Sequence, residues 1–323
     1  MIPELRERVE TAERRVPGGR RFRFGGRLHS GGRFVSVCLL TGLWAVFGRL
    51  SSQAGDWRAW ENAKVRLHAE RMACLGRERL SPFGLVFDKQ AALDFERRQL
   101  RQSLELLQGA EVPPVRTGYR LEAYVSPNDG SVQPFWRYLP RNYAPATAPP
   151  LLIYLHGYDP ELDLATAPQP PAPFVDLAEA TGACLAAPFG RGNTDFQGIG
   201  EQDVLRVLDE MVRRHGVDSN RVVLAGTSMG GLGVWCIGAR WAERFNALFI
   251  VCGRGDFYVW HDLKPEQVPP WQRELIDTQF ATSYIDRLRA TPVLATHGRH
   301  DYVVSFEQGV FLPRKLRALG SEK

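Results

Sequence analysis

The chain has 323 residues, 44% of them hydrophobic, which is enough for one large core or for a core with a small appendage. Its 31 Gly and 22 Pro are spread over many turns and no internal period is found, which excludes a disordered tract or a repeat array. The formal charge of +5 sits in residues 1–54, which hold 10 basic and 4 acidic residues; the remaining 31 basic and 32 acidic residues balance, so no groove for nucleic acid is indicated.

Residues 34–47, FVSVCLLTGLWAVF, carry no charge and follow Arg20, Arg21, Arg23, Arg27 and Arg33. The run is shorter than the ~20 residues of a spanning helix. It fits the apolar region of a secretory signal, and Ser52-Gln53-Ala54 puts small residues at the −3 and −1 positions of a cut after Ala54. Residues 1–54 are therefore expected to be a basic leader with a signal peptide. The stretch before Arg33 is long for such a leader, so the true start is expected nearer that residue. The chain is expected to be secreted or periplasmic, with no stable membrane insertion after cleavage. A membrane anchor and an ordinary buried segment are the alternatives.

Residues 55–115 are expected to form a helical segment. Asp88 can cap a helix, Leu93, Leu100, Leu104 and Leu107 recur at helical spacing, and Gly109 can end it. The stripe is expected to pack on the main domain and carries no chemistry. From Tyr119 the period changes. YRLEAYV alternates, Asp129-Gly130 is a hairpin turn, and VQPFWRYLP is a second strand. LLIYLHG, ACLAAPFG, RVVLAG, ALFIVCG and TPVLATHG are then buried strands separated by helical stretches such as EQDVLRVLDEMVRRH. Residues 116–323 are thus expected to be an α/β domain, a mainly parallel sheet flanked by helices, with its site at the C-terminal strand ends.

The chemistry centres on Gly226-Thr227-Ser228-Met229-Gly230, between the strand RVVLA and a helix. A nucleophile on a sharp strand-to-helix turn needs glycines on both sides to relieve crowding, and its oxygen then projects over the sheet edge. Ser228 is the expected nucleophile. An oxyanion needs preorganised donors; these are expected from the backbone N–H of Met229 and from that of Tyr158 in the loop His156-Gly157-Tyr158. His156 and Gly157 are expected to support that loop. Asp301, in THGRHDYVV, is the expected acid, following Ser228 in the chain order of this arrangement. Phe257, Tyr258 and Trp260, in an insertion over residues 253–283, are candidate substrate-pocket residues, with ordinary loop packing as the alternative. His297 and His300 lie in a turn with no third ligand nearby, and the five cysteines have no metal-ligand spacing, so neither metal nor cofactor is expected. Cys184, Cys236 and Cys252 are expected to be buried thiols, with a disulfide possible on export.

The runs DSNRVVLAGTSMGGLGVW, ERFNALFIVCGRGD and PVLATHGRHDYVV resemble the prolyl-oligopeptidase-like (S9-type) catalytic domain of the α/β hydrolases, closest to its secreted predicted-peptidase and esterase branch. The resemblance covers roughly residues 119–323. It implies the α/β-hydrolase fold and an acyl-enzyme mechanism on peptide bonds, with short or aromatic esters as the alternative substrates. Full prolyl oligopeptidases carry a large propeller before this domain; the helical segment here is too short for one, which favours small esters or short peptides. The resemblance also places the base histidine on a loop after one further strand. FEQGVFLPRKLRALG, after Asp301, fills the place of the helix before that strand, so the base is expected beyond Lys323 and the domain incomplete at its C-terminus. His261 is the alternative base within the chain. A hydrolase-like binding module lacking the base is the non-enzymatic reading; the intact Ser228, flanking glycines and Asp301 speak against it.

Overall fold

The computed structural model describes residues 40–76 and 89–321, with side chains from Asp56 onward. Residues 1–39, with most of the basic leader and Cys38, and the Asp88 helix start lie outside the described residues. The chain falls into two units, residues 1–48 and 49–323, and the sheet belongs to the second.

Helix α1 is Leu40–Gly76 and α2 is Lys89–Gln108. An antiparallel hairpin comes next, β1 (Gly118–Val125) and β2 (Val132–Leu139), closed at Asp129-Gly130 with Gly130 at φ 70°. Strand β3 is Leu151–Leu155, and then come α3 (Ala172–Thr181), β4 (Cys184–Pro188), α4 (Ile199–His215), β5 (Val222–Thr227), α5 (Met229–Arg240), β6 (Ala247–Val251), α6 (Phe257–His261), α7 (Pro270–Gln279), β7 (Val293–Thr296) and α8 (Phe306–Ala318). The described strands form one sheet in the order β1-β2-β4-β3-β5-β6-β7, parallel except that β2 runs against both its neighbours. This is the α/β-hydrolase fold, and β3, β5, β6 and β7 deliver their C-terminal ends to one edge.

The period of two in LLIYL explains why the sheet is covered on both faces. Leu151, Ile153 and Leu155 pack with Val204, Leu208 and Met211 of α4 and with Leu232 and Trp235 of α5. Leu152 and Tyr154 point to the other face, against Phe174 and Ala178 of α3 and Ala63 and Leu67 of α1. The N-terminal helix is therefore part of the core of this unit. Its sequence hides that role because much of its docking is ionic. Glu96 of α2 is buried, accepting from Arg71 Nε at 2.8 Å and lying 2.7 Å from His68 Nδ1, both on α1. Arg71 also donates to the Leu164 carbonyl at 2.7 Å. The stripe of α2 is accordingly centred on Glu96, Leu100 and Ser103, with Leu93, Leu104 and Leu107 half-buried beside it.

A second buried cluster joins Lys64 of α1, Glu122 of β1, Arg137 of β2, and Arg214 and His215 of α4. Burial pushes the Glu122 carboxyl up, but Lys64, Arg137 and Arg214 outweigh it and hold the group at about 2. His215 goes the other way for a cation. Burial and then the Arg137 charge push its pKa down to about 3, against a partial pull upward from Glu122, and neither ring nitrogen has a hydrogen-bond partner. The folded ring binds its proton more weakly than the unfolded ring, so stability is full above pH 6.5 and is lost as pH falls toward 3. Wild-type protein is expected to lose on the order of 1 kcal/mol per pH unit between about pH 6 and 5 from this group alone. His215→Gln removes that slope, as urea titrations at the two pH values will report; parallel slopes in wild type and variant would exclude the assignment.

Candidate active site

Three adjacent strand ends build the site. Thr227, Val251 and Thr296 lie in register across β5, β6 and β7, so Ser228, Cys252 and the loop to Asp301 leave the sheet side by side. Ser228 occupies the turn into α5 at φ 55° and ψ −116°, a left-handed conformation that costs a non-glycine residue roughly 1–3 kcal/mol. Its N–H donates to the Val251 carbonyl at 2.9 Å, which ties the turn to β6. The helix starts at Met229, so the Met229 N–H belongs to the first turn, where amides have no intrahelical acceptor.

The flanking glycines answer to contacts that can be named. A Cβ at Gly226 would stand 2.5 Å from the Gly230 carbonyl oxygen. One at Gly230 would stand 2.1 Å from the Leu155 carbonyl oxygen, and one at Gly231 2.5 Å from the Gly253 Cα. The helix thus packs backbone to backbone on the ends of β3 and β6. A Cβ at Gly157 would lie 3.6 Å from Ser228 Cβ, an ordinary van der Waals distance, which puts the His156-Gly157-Tyr158 loop directly against the Ser228 side chain. His156 is buried, with Nδ1 2.8 Å from the Gly157 carbonyl and Nε2 3.1 Å from that of Phe189, so it braces the loop from below. The Tyr158 side chain is 65% exposed.

Asp301 sits five residues beyond the end of β7. Its Oδ1 accepts from the N–H groups of Val303 and Val304, each at 2.9 Å. Those two bonds, the Val304 one first, hold the carboxyl below its usual range, with a small contribution from His297. Oδ2 lies 3.6 Å from His297 Nε2, whose nearer partner is the Val304 carbonyl at 2.8 Å. Cys252 lies between the two expected catalytic groups. It sits at φ 42°, its thiol is pushed up by burial, the Ser228 main chain at its sulfur opposes that rise, and the Asp301 charge adds to it. The apolar run around Cys252 marks it only as a buried thiol; Cys184 and Cys236 are buried as expected, whereas Cys252 is half-buried at the strand end. Its place in register after Val251, one strand from Ser228, is the signal that sets it in the site.

The described imidazoles are distributed as follows. His68, His156, His215 and His297 are engaged in the packing already given. His300 is exposed on the acid loop. His261 is exposed at the end of α6, its ring 4.4 Å from that of Phe257. The three candidate pocket residues part company. Phe257 and Trp260 line a small cavity of about 90 Å³ with Asp195, Arg254, His261 and Phe280. There Arg254 pairs with Asp195 and lies 5.0 Å over the Trp260 ring. Tyr258 turns to a separate cavity of about 780 Å³ and donates to Asp277 Oδ1 at 2.9 Å. Its neighbourhood is rich in carboxylates, so Tyr258 does not share a pocket with the other two. Asp195 and Arg254 are not singled out by the sequence because they lie on loops 59 positions apart.

Residues 191–322 match the prolyl oligopeptidase family. This part of the chain is prolyl-oligopeptidase-like, and it contains Ser228 and Asp301. The bifunctional acetylxylan esterase/xylanase of Neocallimastix patriciarum is 34% identical over 99 residues, 29% of this chain and 14% of that protein. Dipeptidyl-peptidase 5 of Porphyromonas endodontalis is 28% identical over 130 residues, 36% of this chain and 18% of that protein. The matched stretches span less than a fifth of either relative. A thermostable esterase of known structure aligns over 63% of this chain and 52% of its own, at 20% identity and a TM-score of 0.47. Among the described residues no helix is long and apolar enough to cross a membrane.

The turn geometry makes a steric prediction. Gly230→Ala drives a methyl into the Leu155 carbonyl and is expected to destabilise by about 3 kcal/mol or to abolish soluble expression. Gly157→Ala, whose methyl meets only ordinary contacts, is expected to fold with a thermal midpoint near that of wild type. Equal midpoints for the two variants, read by calorimetry, would contradict the close approach of α5 to β3.

Proposed function

We propose that this chain is a serine hydrolase working through an acyl-enzyme. The observation that carries the reading is Ser228 at φ 55° on the β5–α5 turn, with the Gly157 loop packed against its side chain. In this reading Ser228 Oγ attacks a substrate carbonyl carbon while an imidazole takes its proton. The carbonyl oxygen becomes an oxyanion held by the Met229 and Tyr158 N–H groups. Collapse breaks the C–N or C–O bond, the leaving amine or alcohol takes the proton from the imidazolium, and water then releases the acyl group by the same steps. Asp301, kept ionised by two backbone N–H groups, has Oδ2 left to orient the imidazole. That imidazole is proposed to lie outside the described residues, with His261 as the alternative.

The substrate is proposed to be a peptide bond in a short peptide. A second reading, short or aromatic esters, is favoured by Phe257, Trp260 and Phe280 beside the small cavity. Both curated relatives are named for carbonyl hydrolysis, one of an ester and one of a peptide, which supports the reaction class and leaves the leaving group open. Export, with cleavage after Ala54, is proposed on the leader alone, and N-terminal sequencing of the protein from its native host tests it.

A fluorophosphonate probe and a pair of chromogenic substrates, a p-nitrophenyl ester and a dipeptidyl p-nitroanilide, test the chemistry. The protein is expected to label at Ser228 and to turn over at least one of the two. Ser228→Ala is expected to abolish both readouts, and Asp301→Asn to lower kcat by up to about 10⁴-fold, the loss known when the acid of a Ser-His-Asp triad is neutralised. Anilide turnover decides for the peptidase and ester-only turnover for the esterase. Full labelling of Ser228→Ala would remove the serine from the mechanism.

A further inference from the structure

Resting on the hydrolase reading above, we infer that Asn193 is a positioning residue that sets the Tyr158 N–H as an oxyanion donor. Tyr158 lies between two residues that are each tied to one other loop, residues 189–198. On one side, His156 Nε2 reaches the Phe189 carbonyl at 3.1 Å. On the other, the Asn193 carboxamide closes a pair of bonds on the main chain of Asp159. Asn193 Oδ1 accepts from the Asp159 N–H at 3.2 Å, and Asn193 Nδ2 donates to the Asp159 carbonyl at 2.7 Å. The peptide that carries the Asp159 N–H also carries the Tyr158 carbonyl. Fixing it restrains ψ of Tyr158 from one side, while His156 Nδ1, 2.8 Å from the Gly157 carbonyl, holds the peptide that carries the Tyr158 N–H itself.

The partner loop is built to be stiff. Arg191, Asp195 and Phe196 all sit at positive φ, as do Gly190, Gly192 and Gly198. That many left-handed residues persist only where surrounding contacts over-determine them. Such contacts are present. The Thr194 hydroxyl donates to the Gly190 carbonyl at 2.6 Å, and Arg191 bridges Asp203 at 2.6 Å and Asp129 at 2.7 Å. Phe196 is fully buried, its ring 5.0 Å from that of His156, and Asp195 pairs with Arg254. The far end of the oxyanion loop is held separately, by Arg71 on the Leu164 carbonyl and Trp136 Nε1 on that of Ala167 at 2.8 Å. Asn193 thus transmits the rigidity of residues 189–198 to the main chain after Tyr158, as His156 does before it. An oxyanion donor counts only when it is aimed before charge develops, so loss of this tie acts on the transition state and leaves substrate binding nearly untouched.

The test uses the full chain and compares wild type, Asn193→Ala, Asn193→Asp and Ser228→Ala. Hydrogen exchange by mass spectrometry reads peptides covering 157–162. Asn193→Ala is expected to exchange there about tenfold faster or more, with protection of β3 and β5 unchanged. Asn193→Asp keeps an acceptor for the Asp159 N–H and loses the donor to its carbonyl, so it is expected to fall between. In turnover, Asn193→Ala is expected to lower kcat about ten- to a hundredfold with KM within about twofold of wild type. Unchanged exchange at 157–162 overturns the inference. So does faster exchange with unchanged kcat, provided Ser228→Ala abolishes turnover. Turnover that survives Ser228→Ala brings down the hydrolase reading instead, and is thereby distinguished from failure of the Asn193 tie.

Discussion

The contact between the first turn of α5 and the ends of β3 and β6 sets what everything around it can be. With only 2.1 Å between a notional Gly230 Cβ and the Leu155 carbonyl, no side chain fits at that point. The helix therefore lies directly on the sheet, and the chain must reverse from strand to helix within one residue. That residue is Ser228, and its left-handed φ is the consequence. The same closeness brings the loop after β3 against the Ser228 side chain, because Leu155 and Gly157 are two residues apart. One steric constraint thus accounts for both the left-handed turn at Ser228 and the loop packed against its side chain.

This explains why the centre of the site was legible in the sequence. Glycines on both sides of Ser228, after a β-branched run and before a helix, are the mark of a backbone that must approach another backbone. The strands were legible for a related reason. Runs such as LLIYL are apolar at consecutive positions because both faces of a parallel sheet are buried, and their lengths separate them from helices. Asp301 is a candidate from its place after a buried strand, and its two backbone donors at Val303 and Val304 emerge only in three dimensions.

What the sequence withheld has a common physical character. The links that hold the loops join residues far apart in the chain through single polar contacts, which leave no periodic trace. Asn193 meets Asp159 across 34 positions and Arg254 meets Asp195 across 59. An asparagine in a glycine-rich stretch reads as turn chemistry whatever else its amide does. The division of Phe257, Tyr258 and Trp260 between two cavities was equally hidden. On the five-residue helix α6 Tyr258 lines a different cavity from Phe257 and Trp260 although its ring packs edge to face on that of Phe257, and the helix itself is too short to announce a period.

The N-terminal helices carry the lesson furthest. Glu96 stands in the middle of a leucine stripe, where a charged residue looks like an interruption. It is instead the point on which Arg71 and His68 converge. A buried charge of this kind gains little net stability over a well-packed hydrophobe, but removing one partner leaves the others uncompensated at a cost of about 3–5 kcal/mol. Such a cluster therefore discriminates strongly between one docking of α1 on α2 and any other. Arg71 extends that discrimination outward, because its Nη1 also satisfies the Leu164 carbonyl. The register of the two helices is in this way coupled, through an arginine, to the chain that follows the loop packed against Ser228.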